Sequence, residues 1–191
     1  MTVGTTFKFK VCLVGEAAVG KTSLVQRFVL DQFEDRYTST LGAKTTKADI
    51  EIADPQGGGT VGVSLLIWDI MGERQVPDRL LEAYFRGTQG VIAVCDVLRV
   101  PTIDRMQDWV QMLYKVAGPV PTLYAANKAD LLQEASVTFV EAELKARLSS
   151  LHAGPIFTSA KTGENVRKIF SRLAEEIVRQ AGTESPVAGE A

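Results

Sequence analysis

The eight residues from Gly15 to Thr22 read Gly-Glu-Ala-Ala-Val-Gly-Lys-Thr and fit the pattern G-x-x-x-x-G-K-[ST] in full. Glycines at this spacing let the backbone wrap closely around phosphate oxygens, and successive N–H groups at a helix N-terminus bind their charge. Lys21 would reach the β- and γ-phosphates of a nucleotide, and the Thr22 hydroxyl would ligate Mg²⁺. A strand pattern before the motif and a helix pattern after it favour this interpretation over a simple glycine-rich turn. The motif alone does not choose between ATP and GTP.

Two further motifs favour guanine. Asn127-Lys128-Ala129-Asp130 follows an apolar run typical of a buried strand. A carboxylate there accepts hydrogen bonds from both the ring N–H and the exocyclic amine of guanine, and adenine lacks that donor pair, so Asp130 would select guanine. The stem of Lys128 would lie along the base. Ser159-Ala160-Lys161 would supply the Ala160 N–H to the guanine oxygen. Each motif alone is compatible with a polar turn, but behind a phosphate loop they predict a guanine-nucleotide site.

Three residues are candidates for the magnesium and γ-phosphate end of this site. Asp69 begins the segment Asp69-Ile70-Met71-Gly72, which follows a predicted strand, and a carboxylate there would hold Mg²⁺ through water. The N–H of Gly72 would meet the γ-phosphate. Thr40 lies in the loop after the first helix, where its hydroxyl would complete the oxygen shell that Mg²⁺ prefers.

The elements that must position these residues follow from the apolar pattern. Short β-branched runs alternate with longer stretches of helical period, which predicts an α/β fold with a parallel sheet covered by helices on both faces. Strands are predicted at 8–14, 43–52, 61–67, 90–96, 120–126 and 156–158, and helices at 21–30, 103–116, 138–151 and along a stripe from 166 to 177. Gly57 to Gly59 indicate an antiparallel hairpin between the second and third strands. One domain is predicted over residues 1–180, with a disordered tail over 181–191.

The composition is that of an ordinary globular domain. The chain has 191 residues, of which 46% are hydrophobic and 23% charged, and its net charge of −2 gives no support for a nucleic-acid partner. Cys12 and Cys95 lie in apolar runs and are interpreted as reduced, buried thiols, although the sequence leaves a bridge between them open. His152 is a lone histidine that cannot build a zinc site, and it is expected at the surface.

Neither end of the chain carries a targeting or anchoring signal. The first apolar run is only a strand long, and no run approaches the roughly 20 apolar residues of a membrane span. Thr2 excludes N-myristoylation, and the last residues contain no cysteine for prenylation. We therefore expect a cytoplasmic monomer without a direct lipid anchor.

Taken together, these motifs resemble, in order and spacing, those of the Ras superfamily of small GTPases over about residues 7–180. Trp68-Asp69, Tyr84 to Gly87 and Gly90 to Asp96 look most like the Rab branch. The resemblance implies a P-loop small-GTPase fold, with a six-stranded, mostly parallel sheet flanked by five helices. It also implies that the chain binds GTP, hydrolyses it to GDP with Mg²⁺ and acts as a molecular switch. Prokaryotic relatives often share the lack of a lipidated cysteine.

The family's residue roles can be assigned to matching positions. The loops 31–42 and 72–86 would be the switches that contact effectors and regulators, with Phe33 edge-on to the guanine and Tyr37 over the phosphates. The expected catalytic set is Lys21, Thr40, Gly72 and Glu73, and the expected metal set is Thr22, Thr40 and, through water, Asp69. The expected nucleotide-binding set is Gly15, Ala17, Ala18, Val19, Gly20, Lys21, Thr22, Ser23, Phe33, Tyr37, Thr40, Gly72, Asn127, Lys128, Asp130, Ser159, Ala160 and Lys161.

The chain departs from the family pattern at positions that bear on hydrolysis. Glu73 replaces the usual glutamine, so it would repel the γ-phosphate and offers no amide donor, which predicts slow hydrolysis. Ala17 stands where a partner's arginine would enter, and Met71 is bulky beside the expected metal and could displace the second switch. Arg36 is a candidate arginine finger in cis, although a solvated loop arginine is the simpler interpretation. Two alternatives therefore remain: an interaction module that binds GTP or GDP with negligible hydrolysis, and a P-loop kinase or ATPase.

Overall fold

The computed structural model describes residues 6–34, 39–73, 77–147 and 154–183, except the side chains of 134–137 and 145. Within these residues, the chain forms six strands and five α-helices. The strands are β1 (Thr6–Val14), β2 (Ala43–Ala53), β3 (Thr60–Ile70), β4 (Gly90–Asp96), β5 (Thr122–Asn127) and β6 (Ile156–Thr158). The helices are α1 (Lys21–Leu30), α2 (Asp78–Phe85), α3 (Val100–Ala117), α4 (Glu134–Arg147) and α5 (Val166–Thr183), with a 3₁₀ turn at Ala129–Leu131.

The strands form a single sheet in the order β2-β3-β1-β4-β5-β6. β2 runs antiparallel to β3 through the predicted hairpin, and every other neighbouring pair is parallel. This arrangement confirms the predicted six-stranded, mostly parallel sheet with five helices. Because the inner strands are covered on both faces, they are continuously apolar, and all seven residues of β4 are buried.

Two hydrophobic clusters hold the helices against the two faces of the sheet. On one face α1 and α5 pack through Leu24, Phe28 and Phe170, and the rings of Phe28 and Phe170 stack with their centroids 4.1 Å apart. On the other face α2, α3 and α4 pack through residues such as Phe85 and Trp109. A rigid, two-sided core of this kind fixes the loops at the carboxyl ends of the strands.

Both cysteines lie in this core and are free thiols. Burial raises the pKa of Cys12 to about 11 and that of Cys95 to about 12, so neither forms a thiolate at neutral pH. This agrees with the prediction of reduced, buried thiols, and the bridge that the sequence left open is not formed.

Several predicted boundaries differ from the structure. β3 continues to Ile70 instead of ending at Ile67, because Trp68, Asp69 and Ile70 still pair with β2. The pattern did not predict α2, a two-turn helix held to the core by Leu81 and Phe85, although the family resemblance required a fifth helix. α5 extends from Val166 to Thr183, beyond the stripe predicted to 177. Residues 184–191 lie outside the described part, so the predicted tail stays a prediction.

Candidate nucleotide-binding site

A cleft of about 700 Å³ opens at the carboxyl ends of the strands, where ligands of parallel α/β sheets bind. It brings together most of the predicted nucleotide-binding residues. They are Ala17, Ala18, Gly20, Lys21, Thr22, Ser23, Phe33, Thr40, Gly72, Asn127, Lys128, Asp130, Ala160 and Lys161. Glu73 of the predicted catalytic set also lines the cleft. Gly15, Val19 and Ser159 are buried behind this lining. Tyr37, Arg36 and His152 lie outside the described residues, so their predicted roles stay predictions.

The loop between β1 and α1 has the backbone geometry of an anion cradle. Gly15 and Gly20 have φ angles of 140° and 98°, and a Cβ at either position would overlap Val94 O or the Asn127 side chain respectively. Ala18 also has a positive φ, 61°, which a non-glycine residue seldom adopts. Left-handed residues in such a turn aim successive N–H groups into one concavity, which suits phosphate oxygens.

Lys21 is fixed at the base of this loop. Its Nζ donates to the backbone oxygens of Gly15 at 2.8 Å and Glu16 at 2.9 Å, and the residue is only 6% exposed. Burial lowers the pKa of Lys21 to about 8, although the nearby carboxylates of Asp69 and Glu16 oppose the shift. Among the described residues, the hydrogen-bond partners of this buried ammonium are backbone oxygens and no carboxylate, so it suits a phosphate group.

Three oxygen-bearing side chains meet beside Lys21. The Thr22 hydroxyl donates to Asp69 Oδ2 at 2.5 Å and lies 3.0 Å from the Thr40 hydroxyl. Asp69 is 1% exposed, and its Oδ1 has no hydrogen-bond partner among the described residues. Burial is the main reason that the pKa of Asp69 is raised. An orphaned carboxylate oxygen beside two hydroxyls fits a hard divalent cation with bound water, so these residues suit Mg²⁺.

The sequence pattern predicted that Asp69 follows a strand, and this prediction is wrong. Asp69 lies within β3, paired with Leu13 and Lys44, and does not follow the strand. Paired residues of antiparallel strands point to the same face, so Lys44 shares the cleft side of the sheet with Asp69 and lines the cleft mouth.

The guanine motif is held together by Asn127, the last residue of β5. Its Nδ2 donates to Val19 O at 2.9 Å, and its Oδ1 accepts bonds from Thr158 Oγ1 at 3.2 Å and Ala160 N at 3.3 Å. The Ala160 N–H predicted for the base is therefore directed toward Asn127 in this structure. One buried amide thus connects the phosphate loop to the loop after β6.

Two of the residues predicted to recognise the base, Lys128 and Asp130, are held by side-chain hydrogen bonds. Ser159 Oγ donates to Asp130 Oδ1 at 2.6 Å and so orients that carboxylate at the cleft edge. Lys128 has a left-handed backbone with φ of 66°, and its Nζ donates to Asp96 Oδ2 at 2.7 Å. Phe33 also lines the cleft. This arrangement can present a carboxylate, an aliphatic stem and an aromatic ring to a planar base.

Sequence reasoning missed two residues that support this end of the site. Arg27 of α1 donates from Nε to Ala160 O at 2.8 Å and from its second terminal nitrogen to Lys161 O at 2.6 Å. Asp96 at the end of β4 accepts the bond from Lys128. A carboxylate at the carboxyl end of a buried strand was a usable signal for Asp96, but nothing in the helical pattern marked Arg27.

The start of the predicted second switch loop lies directly on the phosphate loop. A Cβ on Gly72 would overlap the backbone of Glu16 and Ala17, so this position requires glycine. Glu73 is exposed and lines the cleft, and its predicted place near the γ-phosphate stays a prediction. Met71 packs against the α2–α3 cluster, and its sulfur accepts a bond from Gly42 N at 3.2 Å. Met71 thereby joins the end of the first predicted switch loop to the start of the second, and its predicted effect on the metal stays a prediction.

The fold and the cleft together define a P-loop protein whose phosphate loop lies beside a guanine-recognition motif. A family model described as Ras family matches residues 10–179. The chain is also 36% identical over 178 residues to the Ras-related protein RABF2a of Arabidopsis thaliana. The aligned region covers 93% of this chain and 84% of that protein.

The chain belongs to the Ras family and is a Rab-like small GTPase. In general terms it is a GTP-binding molecular switch with the family's GTPase activity. Within the described ranges, no helix has both the length and the apolar character needed to cross a membrane.

Proposed function

We propose that this chain binds GTP with Mg²⁺, hydrolyses it slowly to GDP and presents different switch surfaces in the two states. The observation that carries the proposal is the single cleft in which Lys21, Thr22 and Asp130 lie together. The loop N–H groups and Lys21 bind the phosphates, and Asp130, oriented by Ser159, accepts the two guanine donors.

The metal end of the site rests on Thr22, Thr40 and Asp69. Thr22 and Thr40 would hold the cation by their hydroxyls, and the unpartnered Oδ1 of Asp69 would hold it through water. When bound, the cation would supply positive charge that offsets the negative charge of the nucleotide phosphates. Because Thr40 and Gly72 lie in different switch segments, one γ-phosphate can order both, and its loss releases both.

Hydrolysis depends on positioning and electrostatics because phosphoryl transfer needs little covalent chemistry from the protein. Lys21 and the Gly72 N–H stabilise charge that develops on the γ-phosphate oxygens. Glu73 stands where the attacking water is oriented, but its carboxylate repels the γ-phosphate and donates no hydrogen bond. The proposed hydrolysis is therefore slow in the absence of a partner.

The Glu73 carboxylate in the cleft also favours a second candidate, an interaction module that binds GTP or GDP with negligible turnover. Single-turnover phosphate release from pre-bound GTP, with Mg²⁺ and with the metal chelated, separates the two. Mg²⁺-dependent release supports the slow switch. Release that does not rise above the rate of free GTP supports the interaction module and overturns the hydrolysis proposal.

A further inference from the structure

Arg99 joins two parts of the cleft. It occupies the N-cap position of α3 without a side-chain capping bond, and its Nε donates to Asp96 Oδ2 at 3.0 Å. A terminal nitrogen of the same guanidinium donates to the backbone oxygen of Ala17 at 2.9 Å. One side chain outside the nucleotide motifs thus contacts the phosphate loop directly.

Asp96 extends this contact to the base-recognition side. Its side chain is only 4% exposed, Oδ1 accepts the Leu98 N–H at 3.0 Å, and Oδ2 accepts from both Arg99 and Lys128. Although burial alone would raise it, the pKa of Asp96 is held below its ordinary value by the bonds from Lys128 and the Leu98 N–H. The carboxylate is therefore ionised and links the two cations.

We propose that Arg99 is a positioning residue for nucleotide retention, holding the phosphate loop at Ala17 to the base-side Lys128 through Asp96. The inference rests on the proposed guanine-nucleotide function and adds a residue that couples the two ends of the bound molecule. With Arg99 in place, loosening of the phosphate loop also disturbs the lysine along the base, so a nucleotide leaves only when both ends open.

The role requires an arginine in particular. A guanidinium offers donors in a rigid planar fork, so it can hold the Asp96 carboxylate and the Ala17 carbonyl at once. A lysine offers one flexible point charge. Arg105, six residues further along the same helix, is a matched control: it lines the same surface groove, is similarly exposed, and pairs only loosely with Asp108 at 3.9 Å.

The test is the dissociation rate of fluorescent GDP from the Mg²⁺-loaded full chain after addition of excess unlabelled GDP. We expect Arg99→Met to release GDP about tenfold faster, the effect of losing a charge-assisted bond, and Arg105→Met to stay within about twofold of wild type. Arg99→Lys should lie between the wild type and Arg99→Met, and it provides the comparison if Arg99→Met does not fold.

A double-mutant cycle separates positioning from a merely structural role. In a Lys128→Met background, the ends are already uncoupled, so adding Arg99→Met should accelerate release by less than about threefold. Equal rates of GDP release from the Arg99→Met and Arg105→Met chains would overturn the inference. So would an acceleration by Arg99→Met that is as large in the Lys128→Met background as in the wild type. Failure of the wild-type chain to retain fluorescent GDP would instead overturn the proposed function, and the inference with it.

Discussion

The side-chain amide of Asn127 donates to the backbone oxygen of Val19 across 2.9 Å and joins the end of β5 to the phosphate loop. The same side chain accepts from Thr158 and Ala160 after β6. Three loops that are distant in sequence are thereby held in one geometry. Since the residue is buried, its polar partners have no water to replace it.

Replacing Asn127 with alanine should therefore destabilise the fold as well as the site. The change leaves buried donors and acceptors unpaired, and we expect a loss of about 3 kcal/mol in the free energy of unfolding. Urea denaturation measures it. Gln107→Ala removes an amide that also donates at 2.9 Å, to Arg147 O, but in an exposed position, so it should cost less than about 0.5 kcal/mol. Equal losses for the two variants would contradict this role of Asn127.

Replacing Ala18 with glycine should stabilise the fold. The left-handed backbone of Ala18, with φ of 61°, costs an alanine about 1 kcal/mol, so Ala18→Gly should raise the free energy of unfolding by up to about that amount. Ala17, whose φ is not positive, is the control, and Ala17→Gly should lower stability by about 0.5–1 kcal/mol. Denaturation at one fixed GDP concentration compares them. A change of the same sign in both would show that the Ala18 backbone is not strained.

The low pKa of Lys21 predicts how GDP affinity depends on pH. Burial favours the neutral amine in the free protein, whereas bound phosphates favour the ammonium, so binding takes up a proton once the pH exceeds about 8. Affinity should fall as the pH rises above 8, approaching about tenfold per unit, as measured by calorimetry in buffers of different ionisation enthalpy. The buried ammonium of Lys21 also destabilises the nucleotide-free fold, most strongly below pH 8. This destabilisation disappears as the pH rises from about 8 to the ordinary lysine pKa of 10.5.

Lys21→Arg is the control for that profile because a guanidinium does not titrate in this range. Deprotonation of the guanine base is common to both proteins, so their difference in slope belongs to Lys21. Equal slopes between pH 7.5 and 9 would show that Lys21 does not titrate at the site.

Glu73→Gln should accelerate GTP hydrolysis. The substitution removes a negative charge from the γ-phosphate end of the cleft and supplies an amide that can orient water, so we expect at least about a tenfold faster single-turnover rate. Glu34 lines the same cleft, and Glu34→Gln should leave the rate within about twofold. If the Glu73→Gln chain hydrolyses GTP no faster than the wild type, the carboxylate is not what slows the reaction.

The features of the fold that depend on residues close together in sequence could be predicted from the sequence. The phosphate loop, α1 from Lys21 to Leu30 and the buried strand β4 were all readable, because glycine spacing and apolar periodicity act over a few residues. The end of β3 was predicted too early because polar Asp69 interrupts the apolar run, while pairing with β2 carries the strand on to Ile70. Tertiary pairing, which one strand's sequence does not contain, decided that boundary.

The supporting contacts of the site were harder to foresee. Arg27 reaches the loop after β6 across more than a hundred residues of sequence, and Arg99 reaches Ala17 across 82 residues. Neither has a motif, because a hydrogen bond to a backbone carbonyl imposes no residue pattern on its acceptor. Motifs thus identified the groups that face the nucleotide, while the groups that hold them in place became visible only in the folded chain.

Guanine selection by Asp130 is tested most directly by competition for the cleft, in the wild type and in Asp130→Asn. The chain is loaded with fluorescent nucleotide and challenged with GDP, ADP or xanthosine diphosphate. We predict that ADP competes at least about 10⁴-fold more weakly than GDP with the wild type. Asp130→Asn should prefer xanthosine diphosphate, because the new amide donates to the carbonyl that replaces the guanine amine. Equal competition by ADP and GDP in the wild type, or an unchanged preference in Asp130→Asn, would contradict a guanine-nucleotide site.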